Sequence, residues 1–298
     1  MATPPQIPNP PEFSEELRKS CQESGDFLPM LFEWYKFVAV ICNFFARLRP
    51  DSPALRKLEP IHYSVCSGLL NRCSRLMLSN VALSHKGKFG ETTAIIDRSI
   101  FESCVKLSWL CQNADPNFFE RYLADGLKSE LELKSEIEKA IEVREGQVLV
   151  IEARMLASIQ RHIESSTLSE AQIRAAKKLP DLAAMLETLG RSRLMYVVGQ
   201  KIGSHHVHGT WPSLKQHYLE LTPEGHWAPR DHDCSTHRNQ YIYISLAVLD
   251  ALRSFIDYCI EEPREVDDFI GLFDSIEEEI MKIMKAGDGN DFDPAPAT

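Results

Sequence analysis

Imidazole is the side chain that most readily gains or loses a proton near neutral pH, so a crowd of histidines marks where acid–base chemistry, metal ligation or anion contact would be sought first. Seven of the ten histidines in this chain (His205, His206, His208, His217, His226, His232 and His237) follow a helical stretch that begins near Tyr196. If that helix continues through His208, its wheel puts Leu194, Val198, Ile202 and His205 on one side and Val197, Lys201, Ser204 and His208 on another. His205 then faces inward. Ser204 and His208, four apart, place a hydroxyl within reach of an imidazole, which fixes a tautomer or, were the serine a nucleophile, activates it. The plainer alternative is a helix end in which His206 and His208 bond the last free carbonyls, with Gly209 just past the cap and Pro212 blocking continuation. Two pairs, His205 with His208 and Cys234 with His237, have spacings that a zinc ion could use, although they match no familiar metal motif.

A second group of interest is the series Arg98, Glu102 and Lys106, spaced by four so that the charges form one stripe on a helix. As a solvated ladder it is worth about 0.2–0.5 kcal/mol per pair. Ile95, Ile96, Ile100, Phe101, Cys104, Val105 and Leu107 cover most other directions of that helix, so the stripe is also placed to face a cleft, where its charges must be paired and hydrogen-bonded.

The elements that would carry these residues all show helical period. Strong helices are expected over about 26–48, 91–112, 236–260 and 263–285, with a shorter one starting at Ser14. Ser52 and Pro53 read as cap and first residue of a helix reaching Ser84, kinked at Pro60. Asp115 and Pro116 open a pattern that runs towards Ser165. Its middle is rich in Glu and Lys and carries a thin apolar stripe of Leu127, Leu131, Ile137 and Ile141. Residues 128–165 are therefore expected to form a long helix or a projecting helical arm, with Gly146 as the weak point. Thr167 and Glu170 read as a capping box, and the segment from Pro212 to about Ser235 as a long loop over the histidines. The expected architecture is an all-α multi-helix bundle with an irregular His-rich loop near the site. Residues 1–12 form a disordered leader, residues 13–285 one helical domain, and residues 286–298 a disordered tail.

With 44% hydrophobic residues the chain can bury a substantial core. A formal net charge of −10 argues against a general DNA-binding or anionic-membrane surface, leaving only a local contact with RNA or a nucleotide. Eight cysteines with no CxxC spacing suit reduced thiols in a cytoplasmic protein. The proline-rich start lacks the features of a signal peptide, and no uninterrupted apolar run reaches about 18 residues. Phosphate-loop, dinucleotide-binding, HExxH and GxSxG motifs are all absent from the sequence.

The combination of Arg98-Ser99-Ile100-Phe101-Glu102, Arg121, Tyr196 and Ser204-His205-His206-Val207-His208-Gly209 resembles a widespread bacterial helical family of unknown function that is distantly similar to HEPN (higher eukaryotes and prokaryotes nucleotide-binding) domains. The resemblance spans about residues 27–258. It implies that Arg98, Glu102, Arg121, Tyr196, Ser204 and His208 converge in one pocket as candidate catalytic groups. It also implies dimeric ribonucleases of defence or toxin systems as functional relatives. At the HEPN spacing before His208 stands Lys201 rather than arginine, and the formal arginine–histidine match is Arg230 with His237; Lys201, Arg230 and His237, with His205, are the candidate binding residues.

Three functions are compatible with the sequence. One is a helical binding or regulatory protein with a His/Arg/Glu pocket, with a homodimer or protein partner expected. Another is a metal-independent ribonuclease using His208 with Arg98. The last is a zinc-binding helical protein using His205, His208, Cys234 and His237; otherwise no cofactor is expected. A far-UV circular dichroism spectrum should be dominated by helix, and a major strand component would overturn the architecture.

Overall fold

The computed structural model describes residues 9–113, 115–261 and 263–288. Residues 1–8 and 289–298, most of the expected leader and tail, lie outside the described residues. The fold is all-α and multi-helical, with one short hairpin. The helices are α1 (Glu15–Ser24), α2 (Leu28–Ala46), α3 (Pro60–Lys86), α4 (Gly90–Asn113), α5 (Pro116–Val143), α6 (Val150–Ser165), α7 (Glu170–Ala175) and α8 (Leu182–Thr188). These are followed by α9 (Arg193–Tyr196), a π-helical turn (Val197–Ile202), α10 (Gly203–Val207), α11 (Trp211–His217), α12 (Arg238–Cys259) and α13 (Pro263–Asp288). Strands β1 (Leu219–Leu221) and β2 (Trp227–Pro229) pair antiparallel, Glu220 opposite Ala228.

Contacts divide the chain into two compact units, one built from residues up to 112 and from 182 onward, the other from residues 113–181. In the first, α2 packs against α3, α12 and α13. Val38 and Ile41 of α2, Leu70 and Met77 of α3, Val248 and Leu252 of α12 and Phe273 of α13 are fully buried, as are Ile100 and Leu107 of α4. Small thiols mark the α3–α4 seam: Cys73 Sγ lies 3.7 Å from Cys104 Sγ and Cys66 Sγ 3.8 Å from Cys111 Sγ. All eight cysteines are free thiols. By length and composition α2 qualifies as a membrane-crossing helix, since Glu33 and Lys36 are too few to disqualify it, but 56% of that window is packed inside protein.

The second unit is an α5–α6 hairpin with α7 laid on it. Leu127, Leu131 and Ile137 of α5 meet Ile159 and Ile163 of α6 and Ile173 of α7, so the thin apolar stripe is the core of a small unit. Residues 128–165, expected as a long helix or a projecting helical arm with Gly146 as the weak point, fold back at that point: Glu145 and Gly146 both have positive φ, 57° and 87°. Glu152 closes the turn by accepting from the Leu149 amide at 2.9 Å and pairing with Arg144.

Several boundaries differ from expectation for local reasons. Residues 54–56 join the end of α12 through Arg56 N to Cys259 O (2.8 Å) and Glu261 N to Ala54 O (2.9 Å), so Ser52 starts no helix. Pro60 is the first residue of α3 rather than a kink, a position where its missing amide leaves no bond unmade. The cap of α7 is Ser169, with Gln172 completing the box, two residues past the expected Thr167. Pro212 lies in the first turn of α11 instead of ending structure, and the loop expected after it holds that helix and the hairpin. α13 runs to Asp288, three residues into the expected tail.

Leu131 is 2% exposed in the core of the second unit. Leu131→Ala should destabilise that unit by about 2–5 kcal/mol, read as loss of helical signal and amide protection confined to residues 113–181. Unchanged protection there would show that this cluster does not hold the unit together.

Candidate functional site

The histidine-bearing helix is seated by two glycines one turn apart. A Cβ on Gly203 would lie 2.8 Å from Arg98 Cβ, and one on Gly199 would lie 2.5 Å from Phe101 Cε1 and from Tyr243 Oη. The helix therefore lies close on α4 at Arg98 and against the Phe101 ring and the Tyr243 hydroxyl, and Tyr243 Oη donates to Met195 O at 3.1 Å. The turn that carries Gly199 is π-helical. The apolar wheel pointed to the wrong face: Leu194, Val198, Ile202 and His205 are all exposed, and His205 bonds Thr210 Oγ1 at 2.8 Å, while His206, on the face of Gly199 and Gly203, is half-buried. Ser204 does not reach the His208 ring; its hydroxyl donates back to Gln200 O at 2.7 Å.

His206 faces a buried polar group built from α4, α11 and the loop before α12. Its Nδ1 lies 3.3 Å from Ser213 Oγ, which donates to Glu91 Oε1 at 2.5 Å, while Tyr218 donates to the other Glu91 oxygen. That bond, with burial second, pushes the Tyr218 hydroxyl up to about 12. His206 also packs edge-on against His217, ring centres 5.0 Å apart. Burial, with His217 second, lowers the His206 pKa and so favours its neutral form.

His217 is 3% exposed, and its Nδ1 lies 2.5 Å from Asp233 Oδ1 and 3.3 Å from Cys234 Sγ. Its Nε2 is buried without a hydrogen-bond partner. Asp233 is held in place by the amides of Glu91 (3.1 Å, to Oδ2) and Cys234 (2.7 Å, to Oδ1). Burial pushes its carboxyl up, but the bonds from His217 and these amides prevail and hold it below the usual carboxylate range. Burial, then the Asp233 charge, pushes the Cys234 thiol up, so this cysteine is not a preformed thiolate nucleophile. Among the described residues the His217–Asp233–Cys234 group is the one set of three or more metal-ligand atoms lying within 4.8 Å of one another.

A cavity of about 690 Å³ opens beside this group in the first unit. It is bounded by Arg98 and Asp97 of α4, Gly199 and Gly203, His206, His217, Cys234 and His237, with Tyr243, Met281 and Met284 supplying apolar wall. Arg98 lies along Gly203, and with the Gln200 amide oriented to satisfy both groups its Nε and Nη2 donate to Gln200 Oε1 at 3.2 and 2.8 Å. Among the described residues no carboxylate forms an ion pair with Arg98. Asp97 is buried; it accepts from Asn80 Nδ2 at 2.6 Å and Gln240 Nε2 at 2.9 Å. Burial nevertheless drives its pKa well above the ordinary carboxylate value.

Of the residues expected from sequence, Arg98, Cys234 and His237 line this cavity. Glu102 instead pairs with Lys106 at 2.7 Å on a half-buried face. Tyr196 is flanked by Arg193 and Lys201, 5.0 and 6.0 Å from its ring centre. His208 is exposed at the end of α10. Arg230 donates to Gln216 O at 2.9 Å on the hairpin. Arg121 belongs to the second unit, donating to Lys178 O at 2.6 Å and lying over Phe118. The zinc set of His205, His208, Cys234 and His237 does not gather: His205 bonds Thr210, and His237 caps α12 by accepting from Asn239 N at 3.2 Å. Asp97, Glu91, Ser213, His217 and Asp233 were missed as site residues. His217 sat in the histidine enrichment, but nothing local ties it to an aspartate sixteen residues on.

Residues 63–226 match the model of a family described as a family of unknown function, DUF5677. No curated protein and no solved structure matches the chain.

The raised Asp97 pKa has a definite sign in stability. The folded state holds this proton more tightly than the unfolded chain, so Asp97 opposes folding increasingly as pH rises above 3.8 towards its folded value. In melting curves from about pH 4 to 8 the parent should lose stability relative to Asp97→Asn as pH rises; a pH-independent difference would show that Asp97 ionises in the fold as it does in water.

Proposed function

The chain belongs to the DUF5677 family of unknown function, and from that premise we propose that its first unit is a helical binding module whose cavity takes a small anion-bearing molecule. The observation that carries this reading is Arg98, whose guanidinium is bonded to a neutral amide at the wall of a cavity of about 690 Å³. That volume lies within the usual span for small-molecule sites, about 300–1,000 Å³. Apolar walls beside convergent polar groups also fit such a site. A phosphate or carboxylate would be met by the guanidinium in a forked, charge-assisted contact. Tyr243, Met281 and Met284 would cover the ligand's apolar body, methionine adapting to its outline.

Binding of a phosphate-bearing ligand should raise the melting temperature in a concentration-dependent way, by the stabilisation of about 2.7 kcal/mol expected at a hundred times Kd. Adenosine monophosphate and inorganic phosphate are suitable probes in thermal-shift and calorimetric titrations. Arg98→Ala should abolish the shift while leaving helix content unchanged, and Arg98→Lys should retain part of it. A shift that persists in Arg98→Ala would remove the cavity as the anion site. The same proteins incubated with single-stranded RNA separate binding from catalysis: cleavage lost in both Arg98→Ala and His208→Ala would replace the binding reading with the ribonuclease one.

A further inference from the structure

Two potentially anionic groups compete for one nitrogen in this protein. Asp233 Oδ1 at 2.5 Å and Cys234 Sγ at 3.3 Å both crowd His217 Nδ1, and the three atoms lie within 4.8 Å of one another. An imidazole nitrogen carries one proton at most and can satisfy only one of them. A cation placed among the three would satisfy all of them at once.

We propose that His217 Nδ1, Asp233 Oδ1 and Cys234 Sγ hold a divalent ion of the zinc class, with its fourth position turned to the cavity that His217 and Cys234 line. This departs from the cofactor-free expectation and uses a different ligand set from the one the sequence suggested. It does not rest on the anion-binding reading. Imidazole, carboxylate and thiolate together suit zinc, which takes N, O and S donors tetrahedrally; calcium and magnesium prefer oxygen alone. Three protein ligands with one open position is the pattern of zinc sites that accept a further small ligand. Coordination releases the Cys234 thiol proton and any proton on His217 Nδ1 to solvent, and the dipositive ion meets one thiolate and one carboxylate, leaving the site neutral.

The surroundings are those of a held site. The carboxylate is aimed by the Glu91 amide on its other oxygen at 3.1 Å, a contact of the sort that fixes ligating carboxylates. Gly90 N donates to Cys234 O at 2.9 Å, and a Cβ on Gly90 would stand 2.7 Å from Cys234 Sγ, so only glycine leaves the thiol its place. His217 is 3% exposed, so its ring is held in place by what packs around it.

The test uses the full chain, stripped with a chelator and titrated with cobalt(II), whose thiolate charge-transfer absorption reports a bound cysteine. One cobalt per chain is expected, with that absorption present and lost again on adding zinc. Cys234→Ser should abolish the absorption, and Asp233→Asn should weaken affinity by about tenfold or more. His205→Ala should bind as the parent does, because that histidine lies outside the set. Circular dichroism of each variant checks the fold, and zinc should raise the melting temperature of the parent but not of Cys234→Ser. Failure of the folded parent to bind, or charge-transfer absorption that survives in Cys234→Ser, would overturn the proposal. Anion binding at Arg98 is read separately, so either result can fail alone.

Discussion

Two helices can approach to backbone distance only where one of them carries no side chain, and the candidate site depends on that constraint at Gly199 and Gly203. Because the histidine helix lies flush on α4, Arg98 has to run alongside it, Phe101 and Tyr243 fill the space around the glycines, and Gln200 comes within reach of the guanidinium. His206 follows on the same face as the two glycines and so reaches the interior, whereas His205 lies on the exposed side. Larger residues at either glycine would force overpacking or separation of the helices, and both open the wall of the cavity.

The buried polar group beside that wall solves a different problem. The start of α4 has backbone amides that need partners, and the loop before α12 supplies them: Asp233 takes the Glu91 amide and the Cys234 carbonyl takes that of Gly90. Negative charge is favourable at a helix start, which helps hold Asp233 as a carboxylate. Glu91 in turn collects the hydroxyls of Ser213 and Tyr218, fixing α11 and the hairpin against α4. Structural capping and chemical capacity therefore share atoms. The interactions that stiffen this corner are also the ones that set the imidazole of His217 between a carboxylate and a thiol.

Much of the fold was legible because it rests on local physics. Apolar period placed α2, α4, α12 and α13 within a few residues, Asp115 and Pro116 marked the start of α5, and Gly146 marked the break in the long charged helix. The site was less legible. Arg98 could be singled out because its surroundings on the helix are apolar, and the histidine enrichment pointed to the right stretch. Which histidines matter was hidden because Leu194, Val198 and Ile202 face outward while the glycines face inward, the reverse of what an apolar wheel assumes. The partnership of His217 with Asp233 passes through a hairpin whose strands have only three residues each, too short to show alternation. Ser52 and Pro53 carry a sound local helix signal that pairing with the end of α12 overrides, a contact spanning about two hundred residues that no local pattern encodes.

The order of the chain also bears on how the protein is made. The first unit is discontinuous: its early part ends near residue 112 and resumes only at 182, whereas the second unit is contiguous. During synthesis α2, with apolar side chains on most faces, emerges well before two of the helices that cover it, α12 and α13. The contiguous second unit can complete its core while the first still waits for half of its own. For that interval the nascent chain presents a long apolar helix without its final partners, a state that favours chaperone engagement over unaided folding. Sequence order thus makes the central helix of the finished unit the most vulnerable segment of the growing one.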